Sequence, residues 1–296
     1  MSNNISMKDT SLAHAKINLS LDIVSKRKDG YHDIISVMQT VGLSDEISVE
    51  CSEETGDGHH SCVKVFTDLS FLPKDERNTA HKAALAFFDY AGIKGYSAII
   101  NIKKNIPVCA GLGGGSADGA CVLRMLDKMF KTKIERGSLE ALANTIGSDM
   151  PFCINGGTKL AKGRGEQLTD IQSIPHCHVV ICKPPFSFST PELFKHIRCE
   201  KIRARPDTDG LIGALEKGDL SALARRMFNV FEDVIPRGKS DIENIKSTML
   251  DYGAIGSVMT GSGPSVFGLF ENRGNAKNAY SRLKETYPES YLTETC

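Results

Sequence analysis

The sequence predicts an α+β fold, and three observations support that class. Strand-like and helix-like segments follow one another irregularly, without the steady β-α-β repetition of a parallel α/β protein. Strand patterns dominate the first third of the chain, whereas most helical patterns come later. A length of 296 residues suits one or two domains. We therefore predict two domains, 1–165 and 166–296.

The charge balance excludes several classes of protein. The 36 Lys and Arg residues equal the 36 Asp and Glu residues, so the formal net charge is zero. A chain without a basic surplus is not expected to coat DNA or RNA. The absence of Trp argues against a stacking platform for single strands. The 41% hydrophobic content is typical of a globular protein, and we expect no nucleic-acid partner.

The cysteines predict reduced thiols. There are nine, an odd number at irregular spacings, and no CxxC motif occurs. One cluster resembles a metal site, His176-Cys177-His178 with Cys182, but a buried strand explains it better, and we predict no protein-ligated metal. The uncharged stretch 252–270 contains five glycines and a proline, which favours strand-turn-strand over a membrane span. With no apolar signal region near the start, we expect a cytoplasmic protein without a membrane partner.

The elements of the first half can be predicted in order. Residues 15–24 alternate apolar and polar side chains, as a half-buried strand does, and a turn follows at 27–30. Asn78 offers an N-cap to a helix that ends at Gly92. Further strands are predicted at 34–41, 46–51 and 97–102, a polar loop at 55–60, and a disordered arm at 1–12.

The second half mixes helices and strands. Helical spacing of apolar residues follows the glycine-rich stretch at 111–115, and a second helix covers 138–146. Thr190-Pro191 is a typical helix start, with Pro at the first helical position. The remaining predictions are helices at 219–232, 241–252 and 275–286, and strands at 179–182, 257–260 and 265–270.

The strongest chemical signal is the stretch PVCAGLGGGS at 107–116. Several close glycines let a backbone turn sharply and point its N–H groups into one concavity. Because a helix follows at once, its unpaired N–H groups and positive dipole end add to an anion site suited to phosphate. The stretch lacks the lysine of a Walker A loop, and Ser116 stands where a dinucleotide fingerprint needs glycine. A flexible turn before a helix is the alternative.

Two ionisable residues are candidates to act beside this loop. Lys16 lies inside the apolar strand 15–24 and could supply the cation that the loop lacks, although a strand-edge lysine facing water is the simpler alternative. Asp149 follows a glycine-terminated helix and precedes Pro151 and Phe152. A carboxylate there could be a general base, or a turn aspartate at a helix end.

Taken together, these motifs resemble the GHMP kinase superfamily, which includes galactokinase, homoserine kinase and mevalonate kinase. The loop fits the pattern P-x-x-x-G-L-G-[GS]-[GS] at 107–115, and AKINL, DGYH, GSDMPF, GGTKLAKGRGE and MTGSGPSVFGLF occur in the family's order. The resemblance covers about 13–270. It implies a two-domain GHMP kinase fold, with an N-terminal ribosomal-protein-S5-like ATP-binding domain and a C-terminal ferredoxin-like domain.

The resemblance also implies a reaction. In the branch whose motifs match best, ATP phosphorylates the 2-hydroxyl of an erythritol carried on a cytidine diphosphate conjugate, in the non-mevalonate isoprenoid pathway. By position, Lys16 would face the transferred phosphate, and Asp149 would accept the hydroxyl proton. Asn78 and Lys104 match positions near the adenosine. The residues that would hold the ATP phosphates are Pro107, Val108, Cys109, Ala110, Gly111, Leu112, Gly113, Gly114, Gly115, Ser116 and Ala117.

On the substrate side, the resemblance places an aromatic sandwich around the cytosine. Tyr31 and Phe194 would form its two walls, and the imidazole of His32 would hydrogen-bond the base edge. The other matched positions are Asn18, Thr190, Gly261, Ser262 and Gly263. Mg²⁺ would bridge ATP oxygens, with the Ser116 hydroxyl on the magnesium side.

Other functions stay open at this point. A different GHMP small-molecule kinase, acting on homoserine, mevalonate or a sugar, would share the loop but not DGYH and AKINL. A nucleotide-binding module without turnover and a dinucleotide oxidoreductase are further alternatives. As partners we expect ATP and a small-molecule substrate, with the protein acting as a monomer or weak homodimer.

Overall fold

The computed structural model describes residues 6–53, 61–235 and 237–296, and it confirms the predicted α+β class. The chain forms two compact units. The first unit comprises residues up to Ala15, Ser44–Ile106 and Gly113–Asn155, and the second comprises Lys16–Leu43, Pro107–Leu112 and Gly156–Cys296. The units therefore alternate along the sequence, whereas the predicted boundary at residue 165 is a single division that stays a prediction.

The strands fall throughout the chain. The two long strands come first, and each contributes residues to both units. Within the described residues the strands are β1 (Ser6–Lys26), β2 (His32–Glu53), β3 (Cys62–Thr67), β4 (Tyr96–Lys103), β5 (Thr158–Gly163), β6 (Gln167–Asp170), β7 (His178–Lys183), β8 (Phe228–Asn229), β9 (Gly256–Met259), β10 (Val266–Phe270) and β11 (Glu289–Glu294).

The helices lie between the later strands. In the described part of the chain they are α1 (Thr79–Tyr90), α2 (Gly114–Phe130), α3 (Arg136–Ile146), α4 (Met150–Asn155), α5 (Thr190–His196), α6 (Thr208–Glu216), α7 (Leu220–Ala224), α8 (Lys239–Asp251) and α9 (Arg273–Thr286). None of them is both long and apolar enough to cross a membrane.

In the first unit, helices pack on a small sheet. The end of β2 pairs antiparallel with β4 from Glu46↔Lys103 to Glu53↔Tyr96, and β3 adds in parallel on the far side of β4. Asn78 caps α1 by accepting the Ala80 N–H at 2.9 Å, as predicted. The buried face of α1 ends in Phe87 and Phe88, which meet Phe130 of α2 in an aromatic cluster. These contacts fix α2 directly after the glycine-rich stretch.

The second unit contains two sheets. One has the order β6-β5-β2-β1-β8, with β8 parallel to β1. The other is a four-stranded antiparallel sheet in the order β11-β7-β10-β9. Strand β10 is buried at every position because it lies between β7 and β9 and is covered by apolar residues of α8 and α9. Gly-Ser-Gly-Pro connects β9 to β10 and so lies at the end of this sheet.

Several local predictions were wrong. The two strands predicted at 34–41 and 46–51 form one continuous strand, β2. The helix predicted at 219–232 ends after α7, because Phe228 and Asn229 pair with β1 and a short 3₁₀ turn follows at Val230–Asp233. Residues 6–12 belong to β1 and are not a disordered arm. Residues 1–5 of that arm and the loop at 55–60 lie outside the described residues.

Candidate functional site

Lys16 is a buried lysine in the second unit. Its side chain is only 4% exposed, so the water-facing alternative is wrong. Its ammonium donates a hydrogen bond to Asn18 Oδ1 at 2.7 Å, and its backbone N–H donates to the Leu112 carbonyl at 3.0 Å. β1 therefore ties the cation to the first part of the glycine-rich stretch.

Two glycine turns pack backbone to backbone beside this ammonium. Gly111 and Gly261 both have positive φ, at 78° and 55°. A Cβ on Gly111 would overlap the Thr260 carbonyl, and a Cβ on Gly261 would lie 2.7 Å from the Gly111 oxygen and 3.2 Å from Lys16 Nζ. Only glycine permits both conformation and approach. Within the second unit, the two glycine turns that the sequence analysis predicts to face phosphate, at Gly111 and Gly261, therefore lie in contact with each other.

Asn18 and Thr260 hold these parts together. The Asn18 backbone N–H donates to Thr260 Oγ1 at 3.0 Å, and the Asn18 side-chain amide donates to Ser36 Oγ at 2.8 Å. With its carbonyl oxygen also accepting from Lys16, the Asn18 amide has a fixed orientation. Its geometry positions Lys16, while its predicted contact with substrate stays a prediction.

Asn229 is a residue that the sequence analysis missed. Its buried amide donates to the Met259 and Gly261 carbonyls, both at 2.8 Å, and its oxygen accepts the Phe231 N–H at 3.0 Å. These hydrogen bonds hold the second glycine turn, Gly261–Gly263, in place. Nothing in the local pattern marks Asn229, because its role depends on a turn more than thirty residues away.

His32 and Phe194, which are both predicted substrate-side residues, lie against each other in the second unit. Their rings stack with centroids 5.0 Å apart and planes 25° apart, and Phe231 meets Phe194 edge-on. Burial lowers the pKa of His32, and Lys26 lowers it further, which favours the neutral imidazole. Its Nε2 is buried without a hydrogen-bond partner among the described residues. A neutral ring with an unused nitrogen can bind the edge of a planar polar ligand.

Tyr31 is exposed and has a different neighbour. The Arg164 guanidinium lies over its ring, 5.0 Å from the centroid. Arg164, in the turn between β5 and β6, was not among the predicted site residues. Phe194 stacks on His32 here, so the sandwich between Tyr31 and Phe194 stays a prediction about the liganded protein.

Thr190 and Ser262 also meet. Their hydroxyl oxygens lie 2.7 Å apart, which brings the first residue of α5 to the second glycine turn. Gly263 completes that turn with a φ of 72°. The second unit therefore gathers these predicted substrate-side positions around one turn.

The first unit holds the other part of the glycine-rich stretch. Gly113, with a φ of 70°, is the N-cap of α2 and provides no side-chain cap. The first-turn N–H groups of Gly114, Gly115 and Ser116 therefore lack a capping side chain, as an anion site requires. Thr79 Oγ1 would lie 3.4 Å from a Cβ on Gly115, so the start of α1, next to Asn78, adjoins this turn.

Lys104 lies in a buried ionic cluster of the first unit. Its ammonium donates to Asp118 Oδ2 at 2.8 Å and to Asp45, and all three side chains are nearly inaccessible. Asp45 Oδ1 also accepts the N–H groups of Asn105 and Ile106, at 2.6 and 2.8 Å. The ammonium is thus engaged by carboxylates, and its predicted place near adenosine stays a prediction.

The cluster has unusual proton affinities. Burial raises the pKa of Asp118 to about 7, with Asp45 adding to the shift and Lys104 opposing it. Burial also acts to lower the pKa of Lys104, but the two carboxylates outweigh it and the net shift is upward. Asp118 Oδ1 has no hydrogen-bond partner among the described residues. The sequence analysis did not single out Asp45 or Asp118, although Asp118 could have been noticed as an ionisable residue on the apolar face of a predicted helix.

Asp149 lies in the first unit, before α4, and is half-buried. Its backbone carbonyl accepts the Cys153 N–H at 3.2 Å. The predicted catalytic pair is therefore divided between the two units, and its joint action stays a prediction. In the described residues no group of three or more His, Cys, Asp or Glu side chains is arranged to hold a metal ion.

Comparisons with protein families and curated proteins agree with one another. The GHMP kinases N terminal domain family matches residues 78–157, and the GHMP kinases C terminal family matches 211–289. A Clostridium botulinum (strain Langeland) protein named 4-diphosphocytidyl-2-C-methyl-D-erythritol kinase is 44% identical over 96% of this chain and 99% of its own length. A Caldicellulosiruptor saccharolyticus protein of the same name is 42% identical, with 96% of each chain covered.

Solved structures show the same relationship. A crystal structure of 4-(cytidine 5'-diphospho)-2C-methyl-D-erythritol kinase superposes with a TM-score of 0.80 at 28% identity, covering 97% of this chain and 99% of that one. Homoserine kinase from Cytophaga hutchinsonii superposes with a TM-score of 0.73 at 21% identity, covering 100% and 96% of the two chains. The second likeness concerns the fold alone.

Proposed function

Because the chain belongs to the 4-diphosphocytidyl-2-C-methyl-D-erythritol kinase family of GHMP kinases, we propose that it phosphorylates the 2-hydroxyl of that compound with ATP. Membership of this family makes the chain a phosphotransferase of the isoprenoid pathway. It also agrees with the predicted two-domain GHMP kinase fold. The choice of acceptor and the roles of individual residues are our proposal.

The observation that carries the proposal is the packing of two glycine turns beside a buried lysine. Phosphoryl transfer needs a positioned donor and stabilised negative charge more than it needs covalent help from the protein. At Gly111 and Gly261 the backbones of the two turns lie against each other, and the buried Lys16 supplies a cation where little water reaches. Electrostatic stabilisation is strongest where water is excluded.

In the proposed reaction Asp149 accepts the proton of the 2-hydroxyl while the oxygen of that hydroxyl attacks the γ-phosphorus of ATP. The bond between the γ-phosphorus and the bridging oxygen breaks, and ADP leaves with that oxygen. Lys16 faces the charge that develops on the transferred group, and Asn18 keeps its ammonium in place. Asp149 then holds the proton until solvent or product takes it.

The nucleotide phosphates are assigned to the uncapped start of α2. The N–H groups of Gly114, Gly115 and Ser116, together with the helix dipole, favour an anion there. Since magnesium commonly keeps waters and substrate phosphates as ligands, the half-buried Ser116 hydroxyl is a fitting protein ligand, and no carboxylate cage is needed. Bound Mg²⁺ would neutralise charge on the ATP oxygens.

The substrate base is assigned to the His32 region. The unused Nε2 of a neutral imidazole suits a pyrimidine edge, and Phe194 and Tyr31 offer aromatic faces. Stacking on such faces is worth about 1–3 kcal/mol per base. Homoserine and mevalonate have no ring to use this region, which favours the cytidine-bearing acceptor. We propose further that the enzyme works in the cytoplasm as a monomer or weak homodimer.

A coupled ADP-release assay tests the function. We expect turnover with 4-diphosphocytidyl-2-C-methyl-D-erythritol and none with homoserine, mevalonate or galactose. Lys16→Ala and Asp149→Asn should each lower kcat by about 100-fold or more. Lys159→Ala is the matched control, because Lys159 is equally buried in the second unit and pairs with Asp170 on a neighbouring strand.

The outcomes separate the alternatives. Turnover on another acceptor in the panel would replace the proposed substrate. ATP binding by calorimetry without turnover on any acceptor would indicate a nucleotide-binding module. Near-normal kcat in Asp149→Asn would remove Asp149 as the base while leaving the kinase assignment in place.

A further inference from the structure

The ionic cluster of Asp45, Lys104 and Asp118 joins two places that are adjacent to the glycine-rich stretch. Asp45 binds the backbone N–H groups of Asn105 and Ile106, where the chain enters the stretch. Asp118 lies in the second turn of α2, just after the chain leaves it. Lys104 bonds to both carboxylates and so connects the entry with the exit.

We propose that this cluster is a clamp, and that Asp118, acting through Lys104, is a positioning residue for the turn that binds the nucleotide phosphates. The proposal rests on the proposed function, because it assigns ATP to the start of α2. Neither carboxylate needs to touch the nucleotide. Their task is to hold the Gly113–Ser116 turn against the end of β4 before ATP arrives.

The packing around the clamp leaves little freedom. A Cβ on Gly114 would lie 3.4 Å from Lys104 Nζ and 3.1 Å from Ile106 Cγ2, so the first residue of α2 rests on both. The Lys104 backbone N–H is itself fixed by Asp68 Oδ1 at 3.1 Å. We expect this buried ionic cluster to favour a single arrangement, because breaking one of its ion pairs would leave a buried charge uncompensated. Preorganised N–H groups need little rearrangement when the anion binds.

The cluster contains two acidic side chains and one basic side chain, and this imbalance determines which substitutions test the clamp. Two carboxylates share one ammonium, and Asp118 Oδ1 has no hydrogen-bond partner in the described part of the chain. Asp118→Asn keeps an oxygen for Lys104 and removes one buried charge, so it should preserve the clamp. Asp118→Ala removes the bond to Lys104 and should release the start of α2.

The test compares these variants in steady-state kinetics. Asp118→Ala should raise KM for ATP about tenfold or more with KM for the acceptor nearly unchanged, because small displacements of positioned groups are costly. Asp118→Asn should stay within about twofold of wild type by the same reasoning. Asp127→Ala is the matched control, since Asp127 binds Thr132 Oγ1 and the Ile134 N–H at the opposite end of α2.

Hydrogen exchange measured without nucleotide gives a second readout. Peptides covering 113–118 should exchange faster in Asp118→Ala than in wild type or Asp118→Asn. This measurement decides the clamp even if a variant loses activity, and thermal unfolding shows whether each variant folds. Unchanged exchange and an unchanged KM for ATP in folded Asp118→Ala would overturn the clamp. Failure of wild type to use ATP would instead overturn the proposed function.

Discussion

At the residue scale, the site depends on glycines that nothing else can replace. Gly111 has a left-handed φ of 78° and lies against the Thr260 carbonyl, so its substitution brings strain and collision together. Gly218 has a similar φ of 65°, but a Cβ at that position would meet no atom within 4 Å. The pair therefore separates the cost of conformation from the cost of contact.

We predict that Gly111→Ala lowers the free energy of unfolding by about 3 kcal/mol or more, and Gly218→Ala by about 1–2 kcal/mol. The left-handed region alone costs an alanine about 1–2 kcal/mol, and overpacking commonly adds about 1–3 kcal/mol. Urea unfolding followed by circular dichroism measures both. Equal losses in the two variants would show that the turns do not pack as described.

Residues near a motif were predictable, and residues that act across the fold were not. Lys16 and the loop from Pro107 could be singled out because each belongs to a motif of consecutive residues. Asn229 could not, since an amide that caps a turn some thirty residues later has no local periodicity. The sequence also left open whether Lys16 faces water. The alternation of apolar and polar residues distinguishes the two faces of a strand, but it does not show which other elements cover each face.

At the element scale, α2 is the helix to whose start the proposed function assigns the phosphates. The helix was predictable from its apolar spacing, and Asp118 breaks that spacing as an ionisable residue on the buried face. The failed helix at 219–232 shows the opposite case. Its apolar spacing is helical, but pairing of Phe228 with Ser20 of β1 overrides local preference.

The buried Asp118 predicts a specific dependence of stability on pH. Its folded-state pKa of about 7 lies above the unfolded value of 3.8, so the folded protein binds the extra proton. The stability that this group contributes is therefore present below pH 3.8 and is lost as pH rises through 7. Relative to Asp118→Asn, wild type should lose at least about 1 kcal/mol between pH 5 and pH 8.

Denaturant unfolding of both proteins at the two pH values measures this difference. Other carboxylates, such as Asp75 with its pKa lowered to about 2 by Arg77, are the same in both proteins and cancel. A difference in stability that does not change with pH would mean that Asp118 is ionised in the folded protein across this range, as it is in the unfolded protein.

At the scale of the whole molecule, zero net charge is compatible with the phosphate-rich ligands of the proposed function, because that proposal needs only local positive charge. It assigns this charge to backbone N–H groups at the start of α2 in the first unit and to the buried ammonium of Lys16 in the second. The overall class and the motif positions were predictable from sequence. The division into discontinuous units was not, because it arises from contacts between distant segments.

The thiols offer a test that samples the whole chain at once. All nine cysteines are free, and Cys62, Cys109 and Cys296 are the exposed ones. Burial raises the pKa of Cys51 and of Cys182 to about 12, so these thiols should resist reagents in the folded state. Native protein should therefore react fast with a disulfide reagent at Cys62 and Cys109 and more slowly at Cys296, because burial raises the pKa of that thiol, and denatured protein should give nine reactive thiols.

Among these, Cys109 is the thiol that can test where the nucleotide binds, because it lies in the stretch to which the proposed function assigns the phosphates. It lies in the glycine-rich stretch with a left-handed φ of 52°, whereas Cys62 lies on β3. If ATP occupies the loop, saturating MgATP should slow alkylation of Cys109 about tenfold or more while leaving Cys62 unaffected, because a bound ligand excludes the reagent in proportion to its occupancy. Peptide mass spectrometry after timed maleimide labelling measures both sites in one sample. Equal protection of the two thiols would indicate a general tightening of the protein, and no protection of Cys109 would place the phosphates away from this stretch.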